Sequence, residues 1–262
     1  MIDIHSHILP GVDDGPATME ESLAMAQQAV AGGTTIMFAT PHIAWQQDIE
    51  RAGAIAGWVA TLQDALVAAN IPLQIIPGAE VSPLEELLPA LEADVPLTLG
   101  VQGKYLLLDS PFTALPMGFD AAVFALQTRG YNVILAHPER LLPFQMDPAP
   151  LAALANRGLL MQVNASSLLG KHGVPPQKLA WTILRHGWAH FVASDAHSPI
   201  QRRPGLTEAA REVTAVLGEE VTAELFEQNP RRILAGEPIA CHPAEYTAQR
   251  KLGGWFDWLR RR

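Results

Sequence analysis

Ile2-Asp3-Ile4-His5-Ser6-His7 is a short apolar run that ends in two histidines. Residues two apart in a strand face the same side, so this spacing aims both imidazoles at one point. The same grammar recurs along the chain. His42 follows Thr35-Ile-Met-Phe-Ala-Thr-Pro41, and His137 follows Tyr131-Asn-Val-Ile-Leu-Ala136. Asp195 and His197 follow His190-Phe-Val-Ala-Ser194 and repeat the two-residue spacing. Glu80 ends the run Ile75-Ile-Pro-Gly-Ala79, and Asp109 ends Tyr105-Leu-Leu-Leu108. A strand buried on both faces reads as a short unbroken apolar stretch. Imidazoles and carboxylates at one end of several such strands gather at one rim of a sheet or barrel. The expectation is a polynuclear metal site in a metal-dependent hydrolase.

Seven candidate strands lie at 1–4, 35–40, 73–77, 104–108, 131–136, 159–163 and 190–194. Helical patterns rich in Ala, Leu, Glu and Gln separate most of them, at 18–32, 50–69, 83–92, 118–129, 148–157, 176–187 and 206–217, with a last one at 219–228. Thr18 is placed to cap the first helix, with Glu21 completing a capping box. Gly32-Gly33 would end that helix, and Asn229-Pro230 would stop the last. Strands alternating with helices imply parallel pairing and an α/β architecture. Seven such units favour a closed or distorted barrel, with the active site at the C-terminal strand ends. The expected division is a catalytic barrel over residues 1–240 and a C-terminal tail over 241–262. Ala93–Gly103 reads as a small hairpin beside the barrel.

Length and composition agree with this. The 262 residues suit one large barrel or at most two small domains. A net charge of −9 argues against a general nucleic-acid binder, and bound cations would offset part of it. Cys241 is the only cysteine, so no internal disulfide forms and nothing signals an oxidising compartment. A cysteine-dependent tyrosine phosphatase needs an arginine six residues after its cysteine, and Thr247 stands there. No signal peptide and no apolar run of about 18 residues is visible, so a cytoplasmic protein is expected.

Each motif also has a plainer reading. Two histidines at a strand exit can simply be surface groups. Glu80, just before Ser82-Pro83, suits a helix N-terminus. Asp109 suits a strand-end turn, and Asp13-Asp14-Gly15 is a common turn sequence that could also return a carboxylate to the rim. His172, His186, His190 and His242 lack the strand-end pattern and read as structural or exposed. It is the recurrence at five strand ends that favours metal. The donor set is mixed nitrogen and oxygen without thiolate, which suits manganese, iron or zinc, with the carboxylate share tilting towards the first two.

The segments Ile2–Gly15, Ala39-Thr-Pro-His42, Gly78-Ala-Glu80, His137-Pro-Glu-Arg140, Asn164-Ala-Ser-Ser-Leu-Leu-Gly170, Ser194-Asp-Ala-His197, Arg203-Pro204 and Asn229-Pro230 together resemble the PHP (polymerase and histidinol phosphatase) superfamily. More narrowly, they resemble its bacterial manganese-dependent protein-tyrosine phosphatases of capsular and exopolysaccharide loci. The resemblance implies a distorted seven-stranded barrel holding three ions, Mn²⁺ with Fe²⁺ or Zn²⁺ as alternatives. His5, His7, Glu80 and Asp195 would hold the first. Glu80 would bridge to a second, completed by Asp109 and His137. Asp14, rather than Asp13, would hold the third with His42 and His197. Two departures stand out. Asp109 replaces the usual Glu and is one methylene shorter, and Asn164 stands where Thr is common.

The implied reaction is hydrolysis of a phosphomonoester by hydroxide generated between cations about 3.5–4 Å apart. Arg140 and Arg203 are the candidate phosphate clamp, because a guanidinium fork matches phosphate geometry. The implied substrate is phosphotyrosine on a membrane-associated polysaccharide-assembly kinase, met at the inner face of the membrane. A small-molecule phosphatase or phosphodiesterase of the same superfamily, such as one acting on histidinol phosphate, is the alternative. A non-catalytic metal-bound scaffold is a third reading, which the nearly complete ligand set disfavours. The tail Lys251-Leu-Gly-Gly-Trp-Phe-Asp-Trp-Leu-Arg-Arg-Arg262 combines aromatics with a basic cluster. It suits peripheral membrane contact or an acidic partner, or else packing of Trp255 and Trp258 on the barrel.

Overall fold

The computed structural model describes residues 1–83 and 85–241. Of the expected tail, only Cys241 falls within them, exposed. Membrane contact through residues 242–262, and the reading of His242, lie outside the described residues.

The strands are β1 (Ile2–Asp3), β2 (Ile36–Ala39), β3 (His42–Ile43), β4 (Gln74–Pro77), β5 (Glu80–Val81), β6 (Tyr105–Leu108), β7 (Asn132–Ala136), β8 (Leu160–Asn164) and β9 (Phe191–Ala193). They form two sheets, β1-β2-β4 and β3-β5-β6-β7-β8-β9. Every pairing is parallel. The fold is therefore α/β with parallel sheets. Among the described residues it has nine strand segments where seven strands were expected.

The extra breaks have local causes. Thr40-Pro41 separates β2 from β3, and proline has no N–H to give a ladder. Gly78-Ala79 separates β4 from β5. A Cβ on Gly78 would lie 2.8 Å from a Leu99 methyl, so the close approach of that loop requires glycine. Backbone bonds span both gaps: Gly78 N–H donates to Ala39 O (3.0 Å) and Glu80 N–H to Pro41 O (3.1 Å). Beyond β1, Ser6 pairs in parallel with Ala196. His7 N–H donates to Ala196 O (2.8 Å), and Asp195 N–H to His5 O (2.9 Å). The chain leaving β1 is thus bonded to the chain leaving β9.

The central strands are mostly apolar because both faces are covered. Tyr105 and Leu107 join one cluster with Ile2, Ile4, Phe38 and Phe191. Leu106 and Leu108 point the other way and pack with residues of the surrounding helices, such as Val123 and Leu126. This period-two division is what a strand buried on both sides demands. Truncating Leu107 to alanine would cost about 2–5 kcal/mol.

The helices differ from expectation at their ends. Thr18 caps Met19–Ala31, but the Glu21 carboxylate accepts the Ala17 N–H (2.7 Å), not that of Thr18. The helix expected at 50–69 is two, Gln46–Ala52 and Ile55–Ala68, divided at Gly53. The expected 83–92 helix begins only at Leu87. Asn229-Pro230 does not stop the last helix; a π-turn over Glu224–Gln228 runs directly into Asn229–Ala235. Pro230 directly follows the π-turn, whose bond from the Asn229 N–H to Glu224 O widens the helix where the proline N–H is missing. Residues 93–103 form a loop with Leu97 and Leu99 buried, not a hairpin.

Candidate metal centre

The strand ends deliver the expected side chains to one place. His5 and His7 follow β1, His42 opens β3, Glu80 opens β5, Asp109 follows β6, His137 follows β7, and Asp195 and His197 follow β9. Glu80 is the hub. Its Oε1 lies 3.0 Å from His137 Nε2. Its Oε2 lies 2.9 Å from His42 Nδ1 and 3.3 Å from both His5 Nε2 and His7 Nε2. Asp195 Oδ1 lies 3.5 Å from His5 Nε2 and from His197 Nδ1, and 3.6 Å from His7 Nε2. Asp14 Oδ1 lies 3.2 Å from His197 Nε2 and 3.5 Å from His42 Nε2. Asp109 Oδ1 stands furthest off, 3.8 Å from His137 Nε2.

Three overlapping groups can each hold a cation: His7, Asp14, His42 and His197; His5, His7 and Glu80; and His42, Glu80 and Asp109. The donors fit divalent cations for a further reason. Glu80 Oε2 and His197 Nε2 are buried and make no hydrogen bond of good geometry, though acids and imidazoles crowd both. Orphaned buried lone pairs are costly unless something binds them. Oxygen and imidazole donors together suit zinc, manganese or iron.

Charge is concentrated accordingly. Burial alone would raise the Glu80 carboxyl, but the His5 charge and hydrogen bonds to His137, His42 and His5 hold it well below the usual range. Burial would likewise raise Asp195; His5, His137 and Arg202 outweigh it and keep it ionised. Burial works against a charged His7, yet its bonds to Asp13 and Glu80 push it up to about 10. His197 goes the other way, down to about 2, through burial and the neighbouring His7 charge. Burial and the Glu80 charge raise Asp109.

Residues behind the cluster orient it. Asp13 Oδ2 lies 2.7 Å from His7 Nδ1 and accepts the His42 N–H at 3.1 Å. The acidic pair thus divides its labour, with Asp14 facing His42 and His197 and Asp13 backing His7. Gly15 is obligatory in this turn, since a Cβ there would lie 2.2 Å from His7 O. Gln162 Oε1 lies 2.9 Å from His5 Nδ1. Gln162 Nε2 donates to Asn164 Oδ1 (2.8 Å), and Asn164 Nδ2 to Asp195 Oδ2 (2.7 Å). Asn164, a departure without interpretation in sequence, therefore ties His5 to Asp195 through Gln162. Sequence reasoning missed Gln162; the only signal was a polar residue inside the apolar run Leu159–Val163.

Two ligand candidates sit in the left-handed backbone region, His137 at φ +34° and Asp195 at φ +52°. Such conformations cost about 1–3 kcal/mol each in non-glycine residues and collect at functional sites.

The arginines fall differently from expectation. Arg140 reaches Asp195 Oδ2 at 3.2 Å, and its guanidinium carbon lies 4.2 Å from the Phe112 ring centre. It does not pair with Glu139, which is buried and accepts the Asn164 N–H instead. Arg203 donates its Nε–H to Ile200 O (2.7 Å) and lines a cavity of about 480 Å³ beside the cluster. Its neighbour Arg202 makes the closer contact, 2.7 Å from Asp195 Oδ2. His172, read from sequence as structural or exposed, also lines that cavity, 2.8 Å from Ser166 Oγ. His190 is buried and accepts the Met161 N–H (3.2 Å), as a structural histidine would. His186 stacks on Trp188.

Known proteins match this chain over nearly its whole length. The family model described as capsular polysaccharide synthesis, CpsB/CapC, matches residues 1–235. The chain is 32% identical over 256 residues to tyrosine-protein phosphatase YwqE of Bacillus subtilis (strain 168), covering 98% of this chain and 100% of the relative. It is 31% identical over 263 residues to the putative tyrosine-protein phosphatase CapC of Staphylococcus aureus, covering 99% and 100%. A solved chain, from crystal structures of YwqE from Bacillus subtilis and CpsB from Streptococcus pneumoniae described as unique metal-dependent tyrosine phosphatases, superposes with a TM-score of 0.87. Identity to it is 30%, over 95% of this chain and all of that one.

Proposed function

The chain belongs to the CpsB/CapC family of capsular polysaccharide synthesis, and from that premise we infer that it is a metal-dependent protein-tyrosine phosphatase. The observation that carries the reading is the convergence of four imidazoles, those of His5, His7, His42 and His137, on the two oxygens of Glu80. We read the two sheets as one distorted seven-stranded barrel whose rim bears the site.

His5, His7, Glu80 and Asp195 would hold one cation, Asp109 and His137 with Glu80 a second, and Asp14, His42 and His197 a third. Manganese fits the carboxylate share of this set best. Bound there, the cations would lower the pKa of water towards neutrality and neutralise charge on the phosphoryl oxygens. The protein groups do the rest. Asp13 and Gln162 fix the Nδ1 sides of His7 and His5, leaving both Nε2 atoms directed at Glu80. Arg140 and Arg203, joined by Arg202, present guanidinium donors where the phosphoryl group would sit, and charge-assisted forks are the strong way to hold it. With Asp195 already drawing Arg140 and Arg202 together, little reorganisation is needed when a phosphate arrives. Cys241 takes no part.

The substrate on this reading is phosphotyrosine on a membrane-associated tyrosine kinase, met in the cytoplasm. No described helix is long and apolar enough to cross a membrane. The test is turnover of a tyrosine-phosphorylated peptide and of para-nitrophenyl phosphate, before and after chelation and after Mn²⁺ is restored. Activity that disappears with chelator and returns with Mn²⁺ supports the reading. Activity indifferent to chelator, or absent on both substrates, sinks it.

A further inference from the structure

Phe112 and Phe124 are the exposed phenylalanines among the described residues, and Phe112 is the one beside the candidate metal ligands. Phe38, Phe144, Phe191 and Phe226 are almost wholly buried, whereas Phe112 is 42% exposed three residues after Asp109. It is nevertheless held in place. Its carbonyl accepts the Leu142 N–H at 2.7 Å, tying the loop after β6 to the segment after His137. Its ring meets the His137 imidazole edge-on, with centres 5.6 Å apart at 71°. The Arg140 guanidinium covers part of the ring at 4.2 Å. The aromatic surface left open therefore adjoins both a candidate ligand and a candidate phosphate clamp.

Resting on the phosphatase reading, we propose that Phe112 receives the aromatic ring of the phosphotyrosine and so sets specificity for an aryl over an alkyl phosphoester. A phosphoryl group on Arg140 and beside His137 must direct its ester substituent outwards, along the exposed part of Phe112. A phenyl ring attached directly to the ester oxygen reaches that surface. The single methylene of phosphoserine offers no ring to stack and brings the peptide backbone against the rim instead. Aromatic pairs gain beyond simple burial when their centres lie about 4.5–7 Å apart. Arg140 behind the ring strengthens the platform by a cation–π contact.

The experiment measures two quantities on full-length Phe112→Ala, Phe112→Leu and Phe112→Trp: KM and kcat for a tyrosine-phosphorylated peptide, and Ki for inorganic phosphate, which has no ring. For F112A and F112L the expected result is a KM raised about two- to tenfold with kcat and the phosphate Ki unchanged. F112W should keep the KM close to that of the native chain. F112L retains an apolar cover for Arg140, so it separates loss of the ring from loss of packing. A phosphate Ki that rises in step with KM would show that Phe112 only props Arg140, and would overturn the proposal while leaving the phosphatase intact. Unchanged KM in both F112A and F112L would overturn it too. Native protein inactive on the peptide would remove the phosphatase reading, and this inference with it.

Discussion

Asp13 sets the direction of His7: its Oδ2 lies 2.7 Å from Nδ1, which leaves Nε2 3.3 Å from Glu80 Oε2. The same oxygen accepts the His42 N–H, so one carboxylate positions the ring of His7, beyond β1, and the start of β3 together. The bond is firm. Burial would raise the Asp13 carboxyl, but His7 and the Gly15 and His42 N–H groups hold it down at about 2. A carboxylate behind a ligating histidine fixes both tautomer and orientation.

Asp13→Ala should therefore weaken metal retention about 10–100-fold while leaving every proposed ligand in place. Dialysis of native and D13A protein against graded chelator, followed by elemental analysis, measures this. Equal retention by the two proteins would mean that Asp13 is only a turn residue.

Glu80→Gln keeps the volume of the hub and removes its charge. Four imidazole nitrogens lie within 3.3 Å of its two oxygens, so no other acid can take its place. We expect loss of at least one bound ion and a fall in kcat/KM of more than about 100-fold, a barrier increase of about 3 kcal/mol. Native-like circular dichroism with full activity would remove Glu80 from the centre of the mechanism.

Of the two adjacent arginines, Arg202 should matter more than sequence suggested. Its Nη2 is 2.7 Å from Asp195 Oδ2, and removing it takes one of two cations from a buried acid. Arg202→Ala should lower kcat/KM about tenfold or more, the scale of a hydrogen bond to a charged group. Arg203→Ala, whose Nε–H is engaged with Ile200 O, should act mainly on KM. Steady-state kinetics on one phosphopeptide compares them, and a harmless R202A beside a crippled R203A would reverse this assignment.

The comparison of sequence with structure follows the range of each interaction. Runs such as Tyr105–Leu108 were legible because a strand covered on both faces must be apolar at every position. The gathering of His5, Glu80, His137 and Asp195 was legible because a charged or imidazole group closing such a run has no packing reason to be there. The short strands β3 and β5 beyond two of those runs were not, since they are defined by pairings between distant residues, His42 with Glu80 and Glu80 with Leu107. Arg202 and Arg203 are indistinguishable as neighbours in a loop, and only the fold decides which one turns to Asp195. Gln162 went unread, because its partner His5 is 157 positions away. The end of the last helix was misread because a π-turn carries the helix past Pro230, a residue type that usually stops one.

His172 supplies a test in pH. Burial, reinforced by the charges of Arg140 and Arg202, lowers this imidazole to about 4, although Asp195 pulls the other way. Unfolded, it would take its proton near the ordinary value of about 6.5. A group that resists protonation only when folded favours the folded state above that ordinary value, and the contribution drains away as pH falls towards 4. His172→Gln keeps an acceptor for the Ser166 hydroxyl and cannot titrate. Urea midpoints of the chelated proteins should therefore fall more steeply for native than for H172Q between pH 7 and pH 4.5, and run parallel below about 4. Parallel curves across the whole range would show that the folded chain leaves His172 as easy to protonate as the unfolded one.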